Sequence, residues 1–400
     1  MRKQLAISFA VTAILLAITA TVILYGKGYR FGFSGGTPKV AGTGLLVATS
    51  TPNGAQVFVN GELTTATDNT INLSPGEYEV RIYKDGYFAW NKKITVKKEV
   101  VSKADALLIP AAPKLENITN IGVSNPVLDP TKTLLAYNVS SQSALKNGIY
   151  ILDMTLRPVL TLQNASTQVA NDAGLNFSQS TITWSPDSKE LLASFTTPLA
   201  SHYLLAADSL NTSPDNVTLT LDTVNATWED LKLEKEMARI AGLKKNVRAV
   251  VSQYFNVLDW SADDTKILYS ASVSGTIEPL INPPLIGTNS TQESRDIEKD
   301  SVYVYDTKED KNYKILDNLP KMAEDSPLPI NWYPDSKHLV YVHNGKIDIM
   351  EYDAQNQTTV YAGPFVDSFV FSWPGASKLV ILTNLGNLAI TPNLYTISLK

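Results

Sequence analysis

Hydrophobic and polar positions alternate in short runs along most of this chain, but not at its start. From Leu5 to Tyr25, 21 consecutive residues carry no charge, enough to cross the ~30 Å hydrocarbon core of a bilayer as a helix. From Leu45 onward the apolar residues come instead in short runs bounded by Pro, Gly, Asn and Asp, the pattern of strands and turns. In Glu77–Tyr83, Tyr78, Val80 and Ile82 share one face while Glu79 and Arg81 share the other, as in a half-buried strand. Asn60-Gly61, two residues that tolerate positive φ, predicts a tight hairpin after Gln56–Val59.

Past residue 110 one phrase recurs. Trp184-Ser185-Pro186-Asp187-Ser188-Lys189, leading into Leu191-Leu192-Ala193, returns as Trp260-Ser261-Ala262-Asp263-Asp264-Thr265-Lys266 before Ile267-Leu268-Tyr269. It returns again as Trp332-Tyr333-Pro334-Asp335-Ser336-Lys337 before Leu339-Val340-Tyr341, and more loosely from Trp373. A worn copy at Leu128–Tyr137 makes five. Each copy is an apolar or aromatic residue, a tight turn in which Pro presets φ and Asp or Ser bonds back to the backbone, and then a run suited to a buried strand.

A second run follows each copy: Ile149–Asp153, Tyr203–Asp208, Val302–Asp306, Ile347–Asp353 and Leu394–Leu399. Third runs are predicted at Val159–Leu162, Val217–Thr220 and Tyr313–Leu316. Strand sets recurring at such intervals predict four-stranded blades arranged radially. The last copy has no third run, so Lys114–Thr119 is expected to supply its outer strand and tie the ends together.

Successive copies are 56, 76, 72 and 41 residues apart, and blades of about 40–45 residues leave excess in the middle. Residues 228–254, capped by Thr227, take it up as an amphipathic helix, and residues 274–299 as a long loop. Five blades then account for the domain; a sixth that has lost its motif stays open. The expected chain is all-β after one helix: 1–25 a cytoplasmic tip and transmembrane signal anchor, 26–44 a Gly-rich flexible linker, 45–110 a small β module, 111–400 a β-propeller. A cleaved signal peptide is the competing reading of the first segment.

Composition changes little in this picture: 44% hydrophobic and 18% charged residues are ordinary for globular domains. Charge narrows the partners. Arg2, Lys3, Lys27 and Arg30 flank the apolar segment, and apart from them 30 basic residues face 39 acidic ones, a balance that does not favour nucleic acid. With no cysteine, disulfides, thiolate nucleophiles and Cys-held zinc are excluded.

Candidate chemistry is sparse. His338 and His343 sit five apart in one strand region, on opposite faces, which argues against a shared metal and for rim positions; His202 stands alone. There is no Walker stretch or Gly-x-Gly-x-x-Gly, and the Gly-x-Ser-x-Gly match at Gly32–Gly36 falls in the Gly-rich linker, with no predicted strand-to-helix turn around it to make a nucleophile elbow. The acids of the turns, Asp187, Asp263-Asp264 and Asp335, are too few per turn for calcium and read as turn caps. Trp184, Trp260, Trp332 and Trp373 recur with the motif, together with Pro186 and Pro334, and read as packing between blades. Tyr87, Phe88 and Trp90, clustered outside the repeats, are the candidate contact patch. No catalytic residue, metal ligand or cofactor is assigned.

Two resemblances follow from these residues. Ser50-Thr51-Pro52-Asn53-Gly54-Ala55-Gln56-Val57-Phe58-Val59-Asn60-Gly61, with Leu73-Ser74-Pro75-Gly76-Glu77-Tyr78-Glu79-Val80 and Gly86-Tyr87, resembles a PEGA domain, with Asn53 where the motif has Glu. That resemblance implies a small β-sandwich of prokaryotic surface proteins without catalytic residues. The repeats resemble the TolB-like family of WD40-type β-propellers, whose phrase is Trp-Ser-Pro-Asp-Gly; Ser188 and Ser336 stand in place of its Gly.

Together these imply a single-pass plasma-membrane protein with its bulk outside the cytoplasm. Its expected role is non-catalytic, a propeller presented as a binding platform for protein or cell-envelope glycan. The alternatives are an envelope enzyme or sensor using the propeller's central pocket, and a structural surface-layer component.

Overall fold

The computed structural model describes residues 2–26, 29–34, 37–155, 166–196, 199–319, 327–366 and 369–399. Helix α1, Arg2–Gly26, has no Pro or internal Gly to break it, and Thr12, Thr19 and Thr21 return their hydroxyls to the carbonyls of Ser8, Leu15 and Ala17 at 2.8–2.9 Å. Its span Ile7–Gly26 has a mean hydropathy of 2.5, and no part of that window is buried against the protein. Where a flexible linker is expected over 26–44, Tyr29–Ser34 instead pairs antiparallel with Thr37–Gly42. The signal for that hairpin in the sequence is the alternation of Tyr29, Phe31 and Phe33 ahead of Gly35-Gly36.

The chain divides into two compact units, Met1–Ile109 with Ile281–Gln292, and Pro110–Leu280 with Glu293–Lys400. In the first, two sheets form a sandwich. Asn69–Leu73, Gly44–Thr51 and Val101–Leu107 make one sheet, the last two strands parallel; Glu62–Ala66, Gln56–Val59, Gly76–Tyr83 and Trp90–Val96 make the other. Strand alternation holds as expected: Val80 and Ile82 are buried with Leu46, Val57, Trp90 and Ile94 between the sheets, while Glu79 and Arg81 stay exposed. Asn60 and Gly61 turn with φ of 51° and 85°, and Asn60 Oδ1 accepts the Glu79 N–H at 2.9 Å.

The predicted loop 274–299 is narrower than expected. Gly275–Thr276 pairs with Asp296–Ile297, and the stretch Ile281–Gln292 beyond that neck belongs to the first unit. There Ser290 Oγ accepts the Thr95 N–H at 3.0 Å. Gly287 sits at φ 78° so close to the module that a Cβ would lie 2.8 Å from Val100 Cγ1.

The second unit is the propeller. Its five four-stranded antiparallel sheets are the blades, and among the described residues there is no sixth. Blade 1 is Ser124–Leu128, Leu134–Val139, Gly148–Asp153 and Ser166–Asn171; blade 2 is Thr181–Trp184, Glu190–Phe195, Ser201–Ala206 and Asp215–Asn216. Blade 3 is Phe255–Trp260, Lys266–Ala271, Val302–Asp306 and Lys311–Leu316; blade 4 is Ile330–Trp332, His338–His343, Lys346–Glu351 and Thr358–Tyr361. Blade 5 takes Val370–Ser372, Lys378–Thr383 and Asn393–Ser398, and its outer strand is Leu115–Asn117, with Leu115 opposite Ile397.

Two of the predicted third runs change. Val217–Thr220 is not a strand, because Asp215–Asn216 forms the outer strand and Val217–Thr220 leads into a helix. Val159–Leu162 lies outside the described residues, and Ser166–Asn171 fills the fourth position of blade 1.

Blade faces meet through apolar clusters. Blade 1 packs on blade 2 through Ala136, Ile149 and Ile151 against Ile182, Trp184 and Leu205. Blade 3 packs on blade 4 through Leu268, Val302 and Val304 against Trp332 and Leu339. Blade 5 packs on blade 1 through Phe371, Val380 and Leu394 against Leu135, Tyr137 and Leu152. Between blades 2 and 3 the insertion intervenes.

The insertion is two helices rather than one: α2, Leu221–Gly242, and α3, Lys245–Tyr254. Thr227, expected as the cap, lies inside α2 with its hydroxyl on the Thr223 carbonyl. Val247, Val250 and Val251 of α3 join Ile277 and Ile297 on the blade 3 face made by Trp260, Ile267, Tyr269, Tyr303 and Tyr305. By position this is the face that meets the preceding blade in the blade 1–2 and blade 3–4 seams, so α3 fills the place of a blade face there.

Candidate functional site

Strand order separates the propeller into two ends. In each antiparallel blade the first-to-second and third-to-fourth connections lie at one end, and the second-to-third and blade-to-blade connections at the other. The first end holds the recurrent turns. Ser185 Oγ accepts the N–H groups of Lys189 and Glu190 at 3.2 and 3.0 Å and donates to Asp187 Oδ1 at 2.8 Å. Ser261 and Asp263 repeat this arrangement at Thr265 and Lys266. In the worn copy Asp129 takes the serine's part, Oδ1 accepting from Thr133 and Leu134 at 2.7 and 2.6 Å. Asp335 accepts from the N–H groups of Lys337 and His338 and pairs with His338 Nδ1 at 2.7 Å. These acids close turns, and no group of three or more His, Asp or Glu residues suited to a metal occurs among the described residues.

The position that the family phrase gives to Gly has positive φ in all five copies: Lys132 60°, Ser188 63°, Asp264 52°, Ser336 59° and Ala376 47°. A Cβ in that region is strained. Ser188→Gly is therefore expected to stabilise the propeller by about 1 kcal/mol in urea denaturation, since Ser188 Oγ is buried without a partner. Ser336→Gly should gain less, because Ser336 Oγ accepts the Asp263 N–H at 3.1 Å.

Burial pushes the Asp263 carboxyl up, but the Ser261 and Thr265 hydroxyls, the Thr265 N–H and Lys266 outweigh it and hold it at about 2. Burial also opposes ionisation of Asp335, and its contacts with His338 pull it below the usual carboxylate range. The Ser185 hydroxyl lowers Asp187. Groups depressed in the fold stabilise it above their unfolded value of about 3.9, and that contribution is lost as pH falls through the folded value. The urea midpoint should accordingly fall between about pH 5 and about pH 2, and less steeply in Asp263→Asn.

The tryptophans pack. Trp184, Trp260 and Trp332 are buried and Trp373 is half-buried. Trp184 Nε1 reaches across the seam to the Val127 carbonyl at 3.0 Å, whereas Trp332 Nε1 is buried without a partner. His338 is buried within blade 4 rather than at the rim. His343 is half-buried, stacked on Tyr341 and bonded to Asp348 at 2.9 Å, and His202 Nδ1 lies 2.9 Å from Ser194 Oγ. The patch expected at Tyr87, Phe88 and Trp90 does not assemble. Trp90 is in the module core, Tyr87 packs against it, and Phe88 is the exposed member.

The second end is different in character. Leu145, Leu199, Leu219, Leu385, Leu388 and Ile390 project there, with Leu388 93% and Leu219 100% exposed. Residues 196–200, 217–220 and 384–392 carry no charge. The 384–392 loop lies against the start of blade 1: Val123 N–H donates to the Pro392 carbonyl at 2.7 Å, and Gly122 N–H to Asn393 Oδ1 at 3.0 Å. Leu199, Leu219, Tyr203, Asn216 and Thr218 also line an open hollow of about 640 Å³ on blade 2. Single leucines in polar loops have no periodicity, so sequence patterning could not mark them. For all but Leu145, beside Lys146, the signal is that they extend short uncharged connections.

No curated protein matches the chain. Among solved structures, TolB from Acinetobacter baumannii is similar at 12% identity over 86% of this chain and 80% of its own, with a TM-score of 0.22. An acylaminoacyl peptidase from Pyrococcus horikoshii is similar at 12% identity over 69% of this chain and 39% of its own, with a TM-score of 0.19. The sandwich is where the chain meets a defined family: residues 43–111 match the PEGA domain.

Proposed function

We propose that this chain is a membrane-anchored envelope protein, held by α1 with both units outside the cytoplasm, whose propeller binds a protein partner at its loop end without catalysis. The observation that carries the reading is the set of exposed apolar residues at that end, all but Leu145 on uncharged connections, since apolar exposure of this kind marks interaction surfaces. The span Ile7–Gly26 and the PEGA match support the envelope setting.

Capture from solubilised envelope by the tagged full chain, compared with Leu145→Ser combined with Leu388→Ser and Ile390→Ser, tests it. A specific protein recovered by the parent and reduced roughly tenfold by the variant is the expected result. Recovery of glycan would transfer the role to an envelope carbohydrate, self-association alone would make the chain a surface-layer component, and recovery unaffected by the variant would remove the loop end from binding.

A further inference from the structure

Helix α2 differs from the elements around it. Over 22 residues it buries no side chain, while α3 buries three in ten. Its orientation is set by its cations. Lys235 Nζ donates to the Pro186 carbonyl in the blade 2 turn at 2.6 Å, and Arg239 Nε lies 3.4 Å from Asp264 in the blade 3 turn. With 3.6 residues per turn, Leu221, Val224 and Trp228 fall on that same inward side, and all three are half-buried.

The opposite side is fixed by the same geometry. Leu233 and Met237, one turn apart, are 55% and 61% exposed, and Glu229, Asp230, Glu234 and Glu236 surround them. Glu229 has a loose pairing with Lys232 at 3.8 Å; Asp230, Glu234 and Glu236 make no ion pair among the described residues. In the sequence, acids and bases are interspersed along this helix as on an ordinary solvated face. The fold sorts them, turning Lys235 and Arg239 toward the blades and leaving the acids outside around an apolar pair.

We infer that the outward face of α2 is a docking surface for a basic amphipathic segment of a partner protein. Such a segment places lysines or arginines against the uncompensated acids and an apolar residue against Leu233 and Met237. Charge decides among the occupants. An anionic lipid surface is repelled by this face, and the α2 of a second copy would set acid against acid. The inference does not depend on the loop end, which lies on other elements.

The test uses the full chain in its own membrane, with a photo-crosslinking phenylalanine analogue in place of Met237 and the adduct sequenced by mass spectrometry. The expected adduct is a peptide with Lys or Arg at helical spacing. Its yield should fall roughly tenfold when Glu229→Gln, Asp230→Gln, Glu234→Gln and Glu236→Gln are combined, and should fall with added salt. The thermal transition should not move, because these side chains are exposed, and the loop-end substitutions should leave the adduct intact. A lipid adduct, an adduct to an acidic segment or to a second copy, no adduct, or a yield indifferent to the glutamine substitutions would each overturn the inference.

Discussion

Trp184→Ala is expected to destabilise the propeller by about 3–5 kcal/mol, the cost of removing a large buried aromatic and leaving its cavity. Trp184 sits in the seam where blade 1 meets blade 2, against Ala136 and Ile151 on one side and Leu191 and Leu205 on the other. Sheet faces on both sides are fixed by their own ladders, so the seam cannot collapse to refill the space. The indole N–H adds a bond to the Val127 carbonyl across the seam, and truncation leaves that acceptor unpaired. Trp→Phe separates the two contributions. Trp184→Phe loses the seam bond, but Trp332→Phe removes a buried N–H that has no acceptor, so the first should cost about 1–3 kcal/mol more than the second. Urea midpoints at constant slope read both.

Asp310→Ala should be of similar size, about 3–5 kcal/mol, because it takes the acceptor from several partly buried donors at once, even though Glu293, 2.7 Å from Arg295 Nε, keeps that cation paired. The Asp310 side chain is 4% exposed and that of Arg295 18%, with Oδ1 and Nη1 3.1 Å apart. Asp310 Oδ1 also accepts the Tyr305 hydroxyl at 2.7 Å, and Oδ2 the Leu280 N–H at 2.6 Å. Three groups therefore lose their acceptor at once. Leu280 and Arg295 stand where the chain leaves the propeller and returns to it, so limited proteolysis of 281–292 should accelerate in this variant before global unfolding does. Asp310→Asn, which suits the φ of 53° at this position, should retain part of the stability.

Much of the fold could be read from residue types because the determinants are local. A Trp, a Pro or Asp turn and a buried run specify a hairpin wherever they occur, and Asn60-Gly61 does the same in the module. The pairing of Leu115–Asn117 with Asn393–Ser398 was legible only by elimination, from a strand lacking in the last copy. The insertion was placed but not resolved. Thr220 and Asp222 mark a helix start at Leu221, but Thr220 makes no capping bond, and the three Thr residues in 220–227 lower helix propensity, so Thr227 before Trp228 reads as the stronger start. The candidate sites were least legible. Burial of Trp90 and His338 follows from which strand face meets the partner sheet, and the sorting of charge on α2 follows from where Pro186 and Asp264 lie. Neither property belongs to a sequence window.

The outer strand of blade 5 also imposes an order of events. Leu115–Asn117 begins the propeller, yet its partner Asn393–Ser398 comes at the far end. During synthesis or export, this segment waits with its edge unpaired while the four intervening blades form, and the wait is lengthened by a pairing whose loop spans most of the unit. For that interval the Leu115–Asn117 edge stays open to pairing with another chain. Asn393–Ser398 is thus the strand that ends this segment's exposure to mispairing.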